Sequence, residues 1–257
     1  MPAVAALLDS RAAYTALRRT LLAAPPTVYA CRSPDGLRRA YATRLLEAVV
    51  VGVRALREVD LPTLRTHFPS VPVVVYGTVR PDDGALALAL LGQGTADALV
   101  VEGVDDAVVG DLIRRHGASR LRATRLAAAP RLLRLREPLQ QAAWRRVVAL
   151  AGRPVTTEEV ADALGVSREH LSRQFAAGGA PNLKRVIDLL RVATAADLLG
   201  NPGYNLATVA SLLGFGTVSH LHAMARRITG RPAGAVAGAG PEGVLAAFLK
   251  VGMRSRG

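Results

Sequence analysis

Aromatic side chains make up only 4% of this 257-residue chain, and its 50% hydrophobic content is mostly Ala, Val and Leu. That balance favours helices and buried parallel strands over a sandwich or a barrel. No run of about 18 uncharged apolar residues occurs, so no membrane span is predicted. Cys31 is the one cysteine. It has no partner for an intramolecular disulfide, which fits a reducing, cytoplasmic setting, and it reads as a small buried residue at a strand end. The start of the chain is apolar without a basic segment ahead of it, which suggests a helix and not a signal peptide. No G-x-x-x-x-G-K-[ST], G-x-G-x-x-G or G-x-S-x-G occurs, and no acid/base pair, nucleophile or metal-ligand cluster stands out. No catalytic residue, metal or cofactor is therefore expected, and an enzyme acting on DNA or a nucleotide is the weakest alternative.

Negative charge is scarce in the middle of the chain. Residues 1–110 carry 11 basic and 11 acidic side chains, whereas residues 111–150 carry 10 and 2. The formal net charge of +13 thus belongs to the C-terminal half. A neutral half beside a basic half implies a polyanion partner for the second and a different task for the first. Basic charge alone would also suit a non-specific, nucleoid-type binder.

The first 117 residues read as alternating elements: a helix over 3–23, a strand at 27–31, a helix at 35–47, a strand at 48–53, a helix at 61–68, a strand at 71–77, a helix at 82–92, a strand at 98–103 and a helix at 105–116, acidic at its start. Short, continuous apolar strands alternating with helices predict a parallel, doubly wound α/β domain. The spacing resembles the receiver domain of two-component response regulators, with the opening helix in the place of the first receiver helix and the first strand missing. That resemblance implies an acidic pair, a phosphate-accepting Asp, a hydroxyl and a Lys at successive strand ends. The strand 48–53 instead runs into Arg54 with no Asp, Thr78 takes the hydroxyl place, and Glu102 falls where Lys belongs. Phosphorylation in the receiver manner needs Mg²⁺ and a carboxylate together, so it is not expected. Arg32, Arg54 and Arg80, each just past a strand end, solvate the rim or bind an anion between them.

Residues 118–136 hold six Arg and no acid; they read as a basic linker or as an arm against DNA phosphates. From Glu137 onward the pattern is helical. Thr156 and Glu159 form a capping box, Gly165 ends that helix in a tight turn, and Ser167 caps the next. Helix, short Gly turn, helix is the helix-turn-helix layout. The segment VADALGVSREHLSRQF (160–175) recurs as VASLLGFGTVSHLHAM (209–224), with one extra residue in the second turn. The long helix between the copies, about 18 residues or about 27 Å, can hold two recognition helices near one DNA turn apart.

These segments, with the closing TGRPAGAV, resemble the AraC/XylS family of transcription regulators over about 153–236. The resemblance implies double-stranded DNA as partner and base reading from the first turns of both recognition helices. In the first motif those positions are Arg168, Glu169, Ser172 and Arg173, with Arg173 the best placed for a bidentate contact to guanine. Ser167 and Lys184 are phosphate contacts or, respectively, a plain cap and a solvated charge. The second motif presents Thr217, Val218, Ser219 and His222, with Arg226 and Arg227 behind, and Ala223 where the family often has Arg. It is expected to grip phosphate and read shape. The resulting plan is a receiver-like α/β sensor or dimerisation domain (1–117), an Arg-rich linker (118–136), an all-α domain with two helix-turn-helix motifs (137–237) and a helical tail (238–257). A small-molecule or protein effector, or a second copy of the chain, is expected at the first domain.

Overall fold

A computed structural model describes residues 2–21, 26–78, 81–150 and 152–254. The chain divides into two compact units, residues 1–121 with 201–203, and residues 122–200 with 204–257.

The first unit runs β1 (Ala3–Leu7), α1 (Arg11–Leu21), β2 (Thr27–Ala30), α2 (Pro34–Thr43), β3 (Leu46–Gly52), α3 (Leu61–His67), β4 (Val73–Gly77), α4 (Pro81–Gly92), β5 (Ala98–Val101) and α5 (Val109–His116). All pairings are parallel, in the order β2-β1-β3-β4-β5. This is the flavodoxin-like doubly wound order, which receivers share. Side-chain alternation sorts the strands' residues onto two faces. Ala5, Val49, Val51, Val73 and Val75 pack with Leu37, Tyr41 and Leu64 of α2 and α3. Val4, Ala6, Val50 and Val74 pack with Leu17 of α1 and Ile113 of α5. The α/β, doubly wound, receiver-like class read from the sequence is the fold observed.

Three boundaries differ from the sequence reading. The opening helix over 3–23 is wrong in its first part: Ala3–Leu7 is a fully buried strand between β2 and β3. The missing first receiver strand is therefore present, and residues 22–23 of the expected helix lie outside the described residues. Leu46 and Glu47 begin β3 instead of ending α2. The buried Glu47 carboxylate accepts hydrogen bonds from the Ser119 N–H and hydroxyl at 3.0 and 2.7 Å. Finally, α5 starts at Val109. Asp105 and Asp106, expected in its first turn, accept from the N–H groups of Val101 and Gly103 and so close the turn after β5.

The second unit is all helical: the end of α6 (Ala118–Arg125), α7 (Ala129–Leu132), α8 (Pro138–Ala149), α9 (Thr157–Ala163), α10 (Arg168–Ala176), α11 (Leu183–Leu199), α12 (Leu206–Leu212), α13 (Val218–Thr229), α14 (Ala233–Val236) and α15 (Gly240–Arg254). Helix α11 is the axis, buried along almost its whole length. A helix hydrophobic on all sides is a core element, yet α11 carries Asp188, Arg191 and Asp197, and each has at least one polar partner. Asp188 meets Arg227 at 2.7 Å. Arg191 donates to the Leu213 carbonyl at 3.1 Å. Asp197 meets Arg122 at 3.0 Å and Arg125 at 2.8 Å. Arg125 also binds Glu242 of α15 at 2.8 Å. Those hydrogen bonds raise the pKa of Arg125 against the effect of burial; in Glu242, burial opposes the charge but the bonds from Arg125 outweigh it and lower its pKa. The segment 118–136 is therefore largely helical, and neither Arg122 nor Arg125 is a solvated charge or a free arm.

Candidate nucleic-acid interface

The two helix-turn-helix copies share one backbone device. Gly165 and Gly214 have φ of 67° and 66°, the left-handed region that costs a residue with a Cβ about 1–2 kcal/mol. After each glycine the chain turns back on the first helix: Val166 N–H donates to Ala161 O at 3.1 Å, and Phe215 N–H to Ala210 O at 2.8 Å. The glycine N–H groups donate to Asp162 O and Ser211 O, both at 3.1 Å. The next helix is then capped by a hydroxyl. Ser167 Oγ accepts from His170 N–H at 3.2 Å, and Thr217 Oγ1 from His220 N–H at 3.1 Å. Ser167 and Thr217 thus have a structural task whatever else they touch.

Each recognition helix buries one face and bares the other. In α10, Leu171 and Phe175 are fully buried, while Arg168, Glu169, Ser172 and Arg173 are exposed. Positions 168 and 172, and 169 and 173, are one turn apart, so the four side chains share a surface. The far end of α10 is held by Gln140 of α8, 1% exposed, whose side-chain amide donates to Phe175 O at 2.9 Å and Gln174 O at 3.2 Å. Its Oε1 accepts from the N–H groups of Arg136 and Glu137 at 2.8 and 3.0 Å. The capping box of α9 is present: Glu159 takes the Thr156 N–H at 2.6 Å, and Thr156 Oγ1 the Glu159 N–H at 3.1 Å. These bonds pull the Glu159 pKa down.

In α13, Leu221, Met224, Ala225 and Ile228 face inward. Ser219, Ala223 and Arg226 are exposed and Val218 is half-buried. Two predicted contacts have tertiary partners. His222 Nδ1 accepts the Ala233 N–H at 3.2 Å, which fixes the start of α14 and leaves Nε2 as the protonated nitrogen of the neutral ring. Arg227 is paired with Asp188. Lys184, in the first turn of α11, is exposed.

Sequence reasoning misses two residues here, Gln140 and Arg191. Gln140 is one polar residue in an amphipathic helix, and nothing local singles it out. Arg191 lies with its guanidinium 4.1 Å over the Phe215 ring, and burial lowers its pKa; a charge inside the apolar run VIDLLRVATAADLL is the available signal. His220, whose place in the repeat suggests a structural role, is exposed and edge-on to Phe215 with ring centroids 5.4 Å apart.

Residues 160–238 match the family model for a helix-turn-helix domain. They form a helix-turn-helix DNA-binding domain of the AraC type. The chain is a DNA-binding transcription regulator. The AraC-type domain covers both motifs and α11 between them. No curated protein matches the chain. Full-length FixJ from B. japonicum, a solved structure, aligns at 14% identity over 84% of this chain and 98% of that one, with a TM-score of 0.37; the receiver-like topology rests on the sheet order instead. No helix among the described residues is long and apolar enough to cross a membrane.

Proposed function

We propose that this protein is a sequence-specific cytoplasmic regulator that reads two successive major-groove segments, the first motif reading bases and the second chiefly gripping the backbone. The observation that carries this is the repeated turn with its capped helix, combined with unequal exposed faces. The first face offers Arg168, Glu169, Ser172 and Arg173. The second offers Val218, Ser219 and Ala223, with Thr217 and His222 each tied into the fold. Helix α11, 17 residues long, spans about 25 Å at 1.5 Å per residue, a fitting strut for two such helices. Of the predicted contact residues, Arg168, Arg173, Lys184 and Arg226 form no ion pair among the described residues and are cations available to DNA. Selection of bound fragments from random DNA tests the reading: it predicts a site with one well-defined segment and a second, degenerate one about a helical turn away. Binding that unrelated DNA competes away fully at physiological salt would favour the nucleoid-type alternative.

We further propose that the α/β unit regulates without aspartyl phosphorylation. The ends of β1 and β3 flank the point where strand order reverses, the usual ligand position in such sheets. There the one acid after β1 is Asp9, and its carboxylate accepts the Arg54 N–H at 3.0 Å. It lies over Gly52, where a Cβ would come within 2.6 Å of it. Glu102 accepts the Ser10 hydroxyl at 2.8 Å. Acid and glycine thus fill the place where a receiver keeps its phosphate-accepting side chain. Thr78 is exposed, and Arg80 lies outside the described residues. A small-molecule or protein effector, or a second copy, is the input that remains. A phosphoryl mass shift on an Asp of residues 1–117 after acetyl phosphate treatment would refute this.

A further inference from the structure

Arg191 is only 8% exposed, and its hydrogen-bonding capacity is largely unmet. A guanidinium carries five N–H donors. Nη2 donates to Leu213 O, and that is its one hydrogen bond among the described residues. Nε is buried without a partner. Nη1 has no partner either, yet it is not among the atoms shut off from solvent. The residue lines a cleft of about 510 Å³ whose floor is α11, with the stretch 154–159 leading into α9 on one side and α13 on the other. Arg191 thus lines that cleft with Nη1 as its open nitrogen.

The two acids in the cleft are already engaged. Asp188 binds Arg227, and Glu159 binds the Thr156 N–H. Among the described residues neither Arg191 nor the exposed Lys184 forms an ion pair, and Asp188, which acts on Arg191 only through space, spends its close contact on Arg227. Val155, Ile187 and Met224 supply apolar lining. The size falls within the range of small-molecule sites, about 300–1,000 Å³. A desolvated guanidinium with an open edge is a strong anchor for a planar carboxylate.

We propose that this cleft is a binding site for a small amphipathic organic acid, its carboxylate on Arg191 Nη1 and Lys184 and its apolar body against Ile187 and Met224. The occupant touches the entry to the first motif's leading helix and the second motif's recognition helix, with their common strut beneath. It sets how the two motifs sit on that strut, and by linkage its binding and DNA binding alter one another.

Calorimetric titration of the full-length protein with sodium benzoate, against sodium chloride at equal ionic strength, tests the site without DNA. Inorganic phosphate is the parallel probe. The expected result is saturable one-to-one benzoate binding, weakened at least tenfold in Arg191→Lys and fivefold in Lys184→Ala, and abolished in Met224→Trp, which fills the cleft. Thermal unfolding of each variant separates lost binding from lost fold, and Lys184→Ala, at an exposed position, carries the test if the buried variants do not fold. Absence of saturable heat at tens of millimolar benzoate overturns the proposal. So does wild-type affinity in Met224→Trp, or binding of phosphate alone. If benzoate does not bind and Lys184→Ala instead flattens the salt dependence of DNA binding, the cleft receives a DNA phosphate and the small-acid reading fails.

Discussion

Replacing Asp197 with alanine should be among the most damaging single changes in the helical unit. The side chains of Arg122 and Asp197 are 3% and 7% exposed, so the pair is fully desolvated. Arg125 is 41% exposed and retains Glu242, so it loses little when Asp197 is removed. Among the described residues Arg122 has no second carboxylate, and its Nη1 is already buried without a partner. Stranding such a charge costs about 3–5 kcal/mol. The lone tryptophan, Trp144 of α8, is 7% exposed and lies in the same unit, so its fluorescence during urea unfolding reports this unit. The midpoint should fall with an unchanged slope. The double change Arg122→Met with Asp197→Leu removes both charges and should recover to within about 1 kcal/mol of wild type, or exceed it. A loss below about 1 kcal/mol for Asp197→Ala, or a double variant as weak as the single one, would refute the idea that Arg122 depends on this carboxylate.

Arg173→Ala should lose affinity by about 1–3 kcal/mol and relax base preference within one segment of the site, whereas His222→Ala should cost less affinity and show its effect in thermal stability; equal losses in a gel-shift series count against the assignment. Gly165→Ala meets open space and should cost about 1–2 kcal/mol from backbone strain alone. Gly214→Ala should cost more, because its Cβ would also lie 3.1 Å from Pro154; the reverse order in urea unfolding would contradict this packing of the turn. Burial raises the Cys31 thiol to about 11, so iodoacetamide at pH 8 should alkylate the native protein far more slowly than the unfolded chain. Because the folded value lies above the unfolded one, the associated stability is present below pH 9 and is lost as pH rises toward 11, by about 3 kcal/mol at most. Tyr14 and Tyr76 are raised mainly by burial too, so melting temperature should decline through that alkaline window, and a flat profile would contradict this.

What is legible in the sequence is local. The capping box, the turn glycines and the repeated Leu-Gly are decided within a few residues, and their recurrence makes them specific. The strand β1 is not legible because Ala3–Leu7 is a short apolar run continued by residues at helical spacing, and such runs do not reveal their own period. Its partners Thr27–Ala30 lie 24 residues away in sequence and Leu46–Val51 lie 43 to 44 away, and they settle the matter on both sides. The boundary errors at Glu47 and Asp105 differ in reach: Glu47 serves Ser119, which only the fold brings near, whereas Asp105 closes its own turn on Val101. At the interface, Arg168, Glu169, Ser172 and Arg173 read as exposed and are. His222 and Arg227 read the same way, but their partners Ala233 and Asp188 come from other elements.

The net charge of the C-terminal half therefore overstates its grip on DNA. Arg122, Arg125 and Arg227 each meet a carboxylate, and Arg191 is buried against Phe215. These cations answer to α11, whose three internal charges fix α6 and α15 at one end, α13 nearer the other and the second motif's turn between. A strut buried on nearly all sides gains little from charged residues in stability, since well-packed apolar residues would do as well. What such contacts add is a defined register: among the described residues Asp188 pairs with Arg227, and Arg191 donates to the Leu213 carbonyl. For two recognition helices carried on one strut, that register is the property to preserve: Asp188, Arg191 and Asp197 lie on the inner faces of α11, while the residues proposed to read bases stand exposed on α10.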